Sequence, residues 1–197
     1  MSTSTRLVVL CGPSGAGKTT LAEALINHDR SPKPNIRFFG IGDTTRKRRP
    51  NDLPNEYYYI PRWWFWLKRL FRRYLWTAAF SGTRYGTDRR RFNEALRAHD
   101  YALMILIPER VKTVFELVPD QVLAFYVRAP IDGLEERLRR RGDSAKKIRR
   151  MLQESKDWDQ LIVELGLASK MVMIDNSAPT IQLAKEQVLA ELEKRGL

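Results

Sequence analysis

The stretch "CGPSGAGKTT" at 11–20 places Gly12, Gly17, Lys18 and Thr19 in the pattern G-x-x-x-x-G-K-[ST]. Glycines at this spacing let the backbone curl so that successive N–H groups converge on phosphate oxygens. A helix that starts there adds the positive end of its dipole. Lys18 is then placed to bridge the β- and γ-phosphates of a bound triphosphate, and the Thr19 hydroxyl to ligate Mg²⁺. Gly12, Pro13, Ser14, Gly15, Ala16, Gly17, Lys18, Thr19 and Thr20 form the expected ATP site. A plain glycine-rich turn would leave Lys18 and Thr19 unexplained.

Such a loop needs a strand before it and a helix after it. "RLVVLCG" has the apolar continuity of a buried parallel strand, and "KTTLAEALINHD" reads as the helix that follows. Further apolar runs at "IRFFGIG" (36–42), "YALMILI" (101–107), "VLAFYV" (122–127) and "MVMID" (171–175) alternate with helical patterns such as "RRRFNEALRAHD" and "IDGLEERLRRRG". The tail "TIQLAKEQVLAELEKRGL" carries apolar residues at helical spacing and reads as a closing helix. This alternation implies a three-layer α/β fold on a mostly parallel sheet.

The 197 residues suit one domain with small insertions. A formal charge of +12 favours anionic partners. A single cysteine, Cys11, excludes an internal disulfide and reads as a small buried hydrophobe at a strand end. "MSTSTRLVVL" lacks the layout of a signal peptide, and the richest apolar stretch, "WWFWLKRLFRRYLW" at 63–76, is broken by Lys68, Arg69, Arg72 and Arg73. The expected compartment is the cytoplasm.

Two segments depart from the strand–helix rhythm. From Asp43 to Gly86 the chain is rich in arginine, proline and aromatic residues, and from Glu135 to about Lys156 it is a basic helical stretch. Phosphoryl transfer concentrates negative charge, so it needs cations from an acceptor clamp and from a lid that excludes water. "TTRKRRP" (44–50) offers Arg46 and Arg49 to the first, and "RLRRRGDSAKKIRR" (137–150) supplies the second. A solvated basic helix face would have the same composition.

The series "GPSGAGKTT", "TTRKRRP", "EYYYI", "FSGTRYGT" and "RLRRRG", in this order over nearly the whole chain, resembles the guanylate kinase family. The resemblance implies a three-layer P-loop NTPase fold. Its core would be 1–42, 87–134 and 157–197, with an inserted acceptor-binding subdomain at 43–86 and a lid at 135–156. It also implies that Arg46, Arg49, Tyr57 and Tyr85 hold the phosphate of the acceptor, with Thr87 lining its site. Lid arginines that brace the triphosphate carry over to Arg137 and Arg141, and a third to Arg149 or Arg150.

The base-reading positions depart from the family. Where it has a serine, a glutamate and an aspartate that read guanine, this chain has Gly42, Ala79 and Ile107; where it has the aspartate that organises Mg²⁺ through water, this chain has Ile105. Asp43 and Glu109 are the candidate substitutes. Guanine facing Ala79 and Ile107 would leave donors unpaired at roughly 1–3 kcal/mol each, which argues against GMP as the preferred acceptor. The sequence therefore implies an ATP- and Mg²⁺-dependent kinase of a small phosphorylated acceptor. Lys18, Arg46, Arg137, Arg141 and Arg149 would be its catalytic cations. One alternative is a sugar-phosphate kinase similar to the ribose 1,5-bisphosphate phosphokinases, with Arg84 meeting a second phosphate or pointing to solvent. Another is a binding module that no longer turns over.

"PRWWFWLKRLFRRYLWTAAF" (61–80) replaces a stretch where the family commonly has acidic residues. Trp63, Trp64, Phe65, Leu67, Leu70 and Phe71 are expected either to pack the acceptor subdomain internally or to form an amphipathic surface over 62–76. Such a surface would suit an acidic membrane or a protein partner. Stacking on single-stranded nucleic acid is disfavoured, because no recognised fold for it accompanies the aromatics.

Overall fold

The computed structural model describes residues 7–28, 35–49, 52–80, 82–98, 100–177 and 180–195. Residues 1–6, Pro50, Ser81 and the last two residues, which entered the motifs above, lie outside that description.

β1 (Leu7–Cys11) is buried along its whole length, and its side chains alternate between two cores. Val8 and Leu10 pack with Leu21 and Leu25 of α1 (Lys18–Ile26), while Leu7, Val9 and Cys11 face the opposite side of the sheet. β1 lies at the centre of a five-stranded sheet with β2 (Ile36–Arg37), β7 (Tyr101–Ile105), β8 (Val122–Arg128) and β9 (Met171–Asp175), in the order β2-β7-β1-β8-β9. Every pairing in it is parallel. α1 and α7 (Gln182–Lys194) cover one face through Ala184, Val188 and Leu192. α3 (Arg89–Arg97), α4 (Pro108–Leu117) and α6 (Ala145–Glu164) cover the other through Phe92, Val111, Val114 and Ile162. This is the three-layer α/β arrangement that the alternation implies.

The run at 36–42 is not one strand. Ile36–Arg37 edges the main sheet, and the chain then turns at Gly40 (φ +61°) into β3 (Gly42–Thr44) of a second sheet. Tyr58 lies against Gly40, where a Cβ would meet its ring, so the turn and the close approach both require glycine. The second sheet has the order β4-β3-β6-β5, with β4 at Tyr57–Tyr59, β5 at Tyr74–Phe80 and β6 at Thr83–Asp88. β3 pairs parallel with β4 and antiparallel with β6, which brings Thr44 opposite both Tyr59 and Tyr85.

α2 (Arg62–Leu70) is shorter than the aromatic segment that contains it, which continues through Arg72 (φ +52°) into β5. The segment expected to form a lid lies in a helical hairpin of α5 (Ile131–Arg140) and α6. α6 runs unbroken to Glu164, past the position 156 where the sequence places the end of the lid.

Candidate active site

The loop between β1 and α1 is held from two sides. Gly12 has φ +146°, and a Cβ there would overlap the Val127 carbonyl oxygen. Gly17, at φ +90°, lies against the Asn176 side-chain amide, which donates to the Ala16 carbonyl at 2.8 Å. The Asn176 carbonyl in turn accepts from Arg137 Nη2 at 2.8 Å. One residue after β9 thus joins the loop to the lid helix.

Lys18 Nζ is turned onto the loop itself, donating to the Gly12 carbonyl at 2.6 Å and the Pro13 carbonyl at 2.8 Å. Burial lowers its pKa to about 8, and the nearby charge of Arg141 works in the same direction. The ring of Trp158, on α6, lies 6.0 Å from the ammonium. Thr19 and Thr20 are exposed on the first turn of α1. Cys11, just before the loop, is fully buried, and burial pushes its thiol up to about 12. It is an inert packing group, as its position suggests.

A cavity of about 400 Å³ opens from Gly12, Ser14 and Lys18 and reaches Tyr57, Tyr85 and Thr87 on the second sheet. The rings of Tyr57 and Tyr85 are 5.7 Å apart, and burial raises the Tyr57 phenol above its usual range. The Arg46 guanidinium stands 5.5 Å from the ring centres of Tyr57 and Tyr59. Its fork is filled by the Asp52 carboxylate, at 2.5 Å from Nη1 and 2.7 Å from Nη2. Asp52 also accepts from Tyr59 Oη at 2.7 Å and from the Arg49 backbone N–H at 2.7 Å. Arg49 is exposed at the edge of this cluster.

Much of the remaining wall is apolar. Gly42, Ala79 and Ile107 line the cavity together with Trp76, Leu103 and Ile105. Both candidate substitutes, Asp43 and Glu109, line the cavity, but the Asp43 carboxylate is already engaged. Asp43 is buried and takes Lys68 Nζ at 2.5 Å, Tyr74 Oη at 2.8 Å and the Arg91 guanidinium. Glu56, a carboxylate that sequence reasoning did not single out, also lines the cavity, and burial raises its pKa.

The arginines expected in a lid divide. Arg137 reaches the loop through Asn176, and its Nη1 is buried without a partner, a donor still to be satisfied. Arg141 pairs with Asp143, Nε to Oδ2 at 2.6 Å, beside Met151 of the cavity wall. Arg149 is exposed on α6. Arg84 is half-buried and does not line the cavity; its guanidinium lies 4.4 Å from the Trp66 ring. Asp52, Trp158 and Asn176 carry no motif that marks them, because each is recruited by the fold from a distant segment.

A parallel α/β sheet, a glycine loop at the carboxyl end of its central strand, a basic helical hairpin and a cavity running from that loop to the second sheet define a P-loop phosphotransferase. The chain belongs to the guanylate kinase family, whose model matches residues 4–177. It is 37% identical over 144 residues to the guanylate kinase of Carboxydothermus hydrogenoformans, covering 72% of this chain and 68% of that protein. It is 29% identical over 188 residues to that of Symbiobacterium thermophilum, covering 94% and 85%. The crystal structure of guanylate kinase from Anaplasma phagocytophilum shares the fold, with a TM-score of 0.63 at 18% identity over 98% of this chain and 87% of that one.

Proposed function

We propose that the protein transfers the γ-phosphoryl group of ATP to a small phosphorylated acceptor, a nucleoside monophosphate whose base is not read as guanine. The observation that carries this is the continuity of the cavity, which has Lys18 and Ser14 at one end and Tyr57, Tyr85 and Thr87 at the other. Donor and acceptor phosphates held at those two ends meet inside one enclosure, so positioning and electrostatics supply the catalysis. The acceptor phosphate is already an anion, so no general base is needed. Lys18 would leave the loop carbonyls for the β- and γ-phosphates, while Arg137 and Arg141 brace the charge from the lid and Arg46 and Arg49 hold the acceptor. Arg149 would have to swing inward with α6 to join them.

The described residues include no group of three or more His, Cys, Asp or Glu side chains arranged to hold a metal ion. Mg²⁺ favours a few protein oxygens with phosphate and water. The exposed Thr19 hydroxyl fits that requirement, and the ion would arrive with the nucleotide. We read 43–86, which holds α2 and most of the second sheet, as the acceptor subdomain, and 135–156, within the α5–α6 hairpin, as the lid. Among the described residues no helix is long and apolar enough to cross a membrane, and a buried free thiol suits the cytoplasm.

A sugar bisphosphate is the second reading; Arg84, the cation expected to meet its second phosphate, is engaged by Trp66 and does not line the cavity. An inactive binding module would have no use for a cavity that joins loop and clamp. The test is an ADP-release assay with ATP and Mg²⁺, offering GMP, dGMP, AMP, CMP, UMP, dTMP and ribose 1,5-bisphosphate in parallel. One monophosphate is expected to support turnover that Lys18→Ala reduces at least about a thousandfold. Wild-type rates in that variant would refute the assignment.

A further inference from the structure

α2 turns its larger apolar surface away from the protein. Its inward side consists of Phe65, 1% exposed and stacked 4.9 Å from Tyr74, and of Lys68, which reaches Asp43 at 2.5 Å and Asp88 at 2.8 Å. At 100° per residue, Trp66, Leu70, Trp63, Leu67, Phe71 and Trp64 then follow one another around the opposite side in an arc of about 160°. Trp63 is 68% exposed, Leu70 75% and Phe71 67%. Internal packing, one of the two expectations for this segment, thus holds for Phe65, holds in part for Leu67, and fails for Trp63, Trp64, Leu70 and Phe71. Exposed apolar residues clustered in this way mark an interaction surface.

The surroundings specify the partner. No carboxylate occurs in the chain between Glu56 and Asp88, while Arg62, Lys68, Arg69, Arg72, Arg73 and Arg84 all fall there. Lys68 is turned inward, Arg69 and Arg84 flank Trp66 at 4.9 and 4.4 Å, and Arg62, Arg72 and Arg73 lie exposed at the two ends of the helix. Trp64, Leu67 and Phe71 border a hollow of about 290 Å³.

From this arrangement we infer that α2 is an interfacial anchor, which lays Trp63, Trp66, Leu70 and Phe71 into the acyl boundary of an anionic lipid surface while its arginines meet the headgroups. A short amphipathic helix with tryptophan and leucine on one side and arginine at its borders has the chemistry for this. A second copy of the chain is disfavoured, since a two-fold contact would oppose this acid-free cationic face to itself in a protein of net charge +12. Single-stranded nucleic acid would stack on the rings, but it has no use for the aliphatic Leu67 and Leu70.

The test is co-sedimentation with vesicles of phosphatidylcholine containing ~30 mol % phosphatidylglycerol in about 100 mM KCl, set against pure phosphatidylcholine. The full chain is compared with a Trp63→Ser/Leu70→Ser/Phe71→Ser variant whose thermal unfolding is shown to match it. The expected result is binding to the anionic vesicles alone, a blue shift of tryptophan emission, and a loss of about a hundredfold in the variant. Absence of binding overturns the inference, as does equal binding by the variant, which would mean attraction by charge alone. A dimer in sedimentation equilibrium that the same substitutions dissolve, or an oligonucleotide complex lost in the variant without vesicle binding, would assign the surface to those partners and also overturn it.

Discussion

The Asp52 carboxylate occupies both terminal nitrogens of Arg46, at 2.5 and 2.7 Å, and so fixes the guanidinium over Tyr57 and Tyr59. Burial would raise the Asp52 pKa, but Arg46, the Arg49 amide and Tyr59 together hold it at about 2. The acid therefore stays ionised across the neutral range and the fork stays oriented. An oriented arginine loses less freedom when it grips a phosphate. Asp52→Asn is expected to raise KM for the acceptor about tenfold, or 1.4 kcal/mol, with kcat changed less than threefold. A lower KM would show that Asp52 competes with the acceptor instead of positioning Arg46.

Lys18 sets up a proton balance. Its pKa of about 8 in the free protein reflects burial of an ammonium that faces backbone carbonyls. Phosphates beside it favour the charged form and raise that value. At pH 8 the free protein holds Lys18 about half protonated, so binding a non-hydrolysable ATP analogue draws in about half a proton, and at pH 6.5 nearly none. Calorimetry in two buffers of different ionisation enthalpy reads this directly. A proton release at pH 8 would contradict the geometry.

Two glycines separate strain from contact. Gly17 and Gly142 share a left-handed φ, +90° and +83°, but a Cβ at Gly17 collides with the Asn176 amide while one at Gly142 meets open space. Gly142→Ala is expected to cost about 1–2 kcal/mol of stability and to leave nucleotide affinity intact. Gly17→Ala also displaces the Asn176 contact to the loop, and its ATP affinity should fall at least about a hundredfold. Equal affinities in the two variants would mean that Asn176 does not shape the loop.

The parts of the site that were legible in the sequence are those where local spacing dictates geometry. Gly12, Gly17, Lys18 and Thr19 announce the loop because backbone curvature demands glycine at those positions. The buried strands announce themselves by unbroken apolar runs. Long-range choices left no such mark. "IRFFGIG" reads as one strand because its apolar run gives no sign that Gly40 turns the chain into another sheet. In α2 both sides of the helix are aromatic, so periodicity cannot tell which one packs. The decision lies in Phe65 meeting Tyr74 and Lys68 meeting Asp43, partners on β5 and β3. Arg84 found Trp66 for the same reason, a contact that depends on where α2 settles.

The apolar wall at Gly42, Ala79 and Ile107 makes the most direct demand on experiment. Gly42, Ala79 and Ile107 offer guanine no side-chain hydrogen bond, so those three positions supply none of the discrimination by 10⁴ or more that a polar pocket can reach. The deciding measurement is kcat/KM for GMP against AMP, CMP, UMP and dTMP with saturating ATP and Mg²⁺. The account predicts that at least one of the other monophosphates is phosphorylated within about tenfold of GMP or better. A preference for GMP of about 10⁴ over all of them would contradict it.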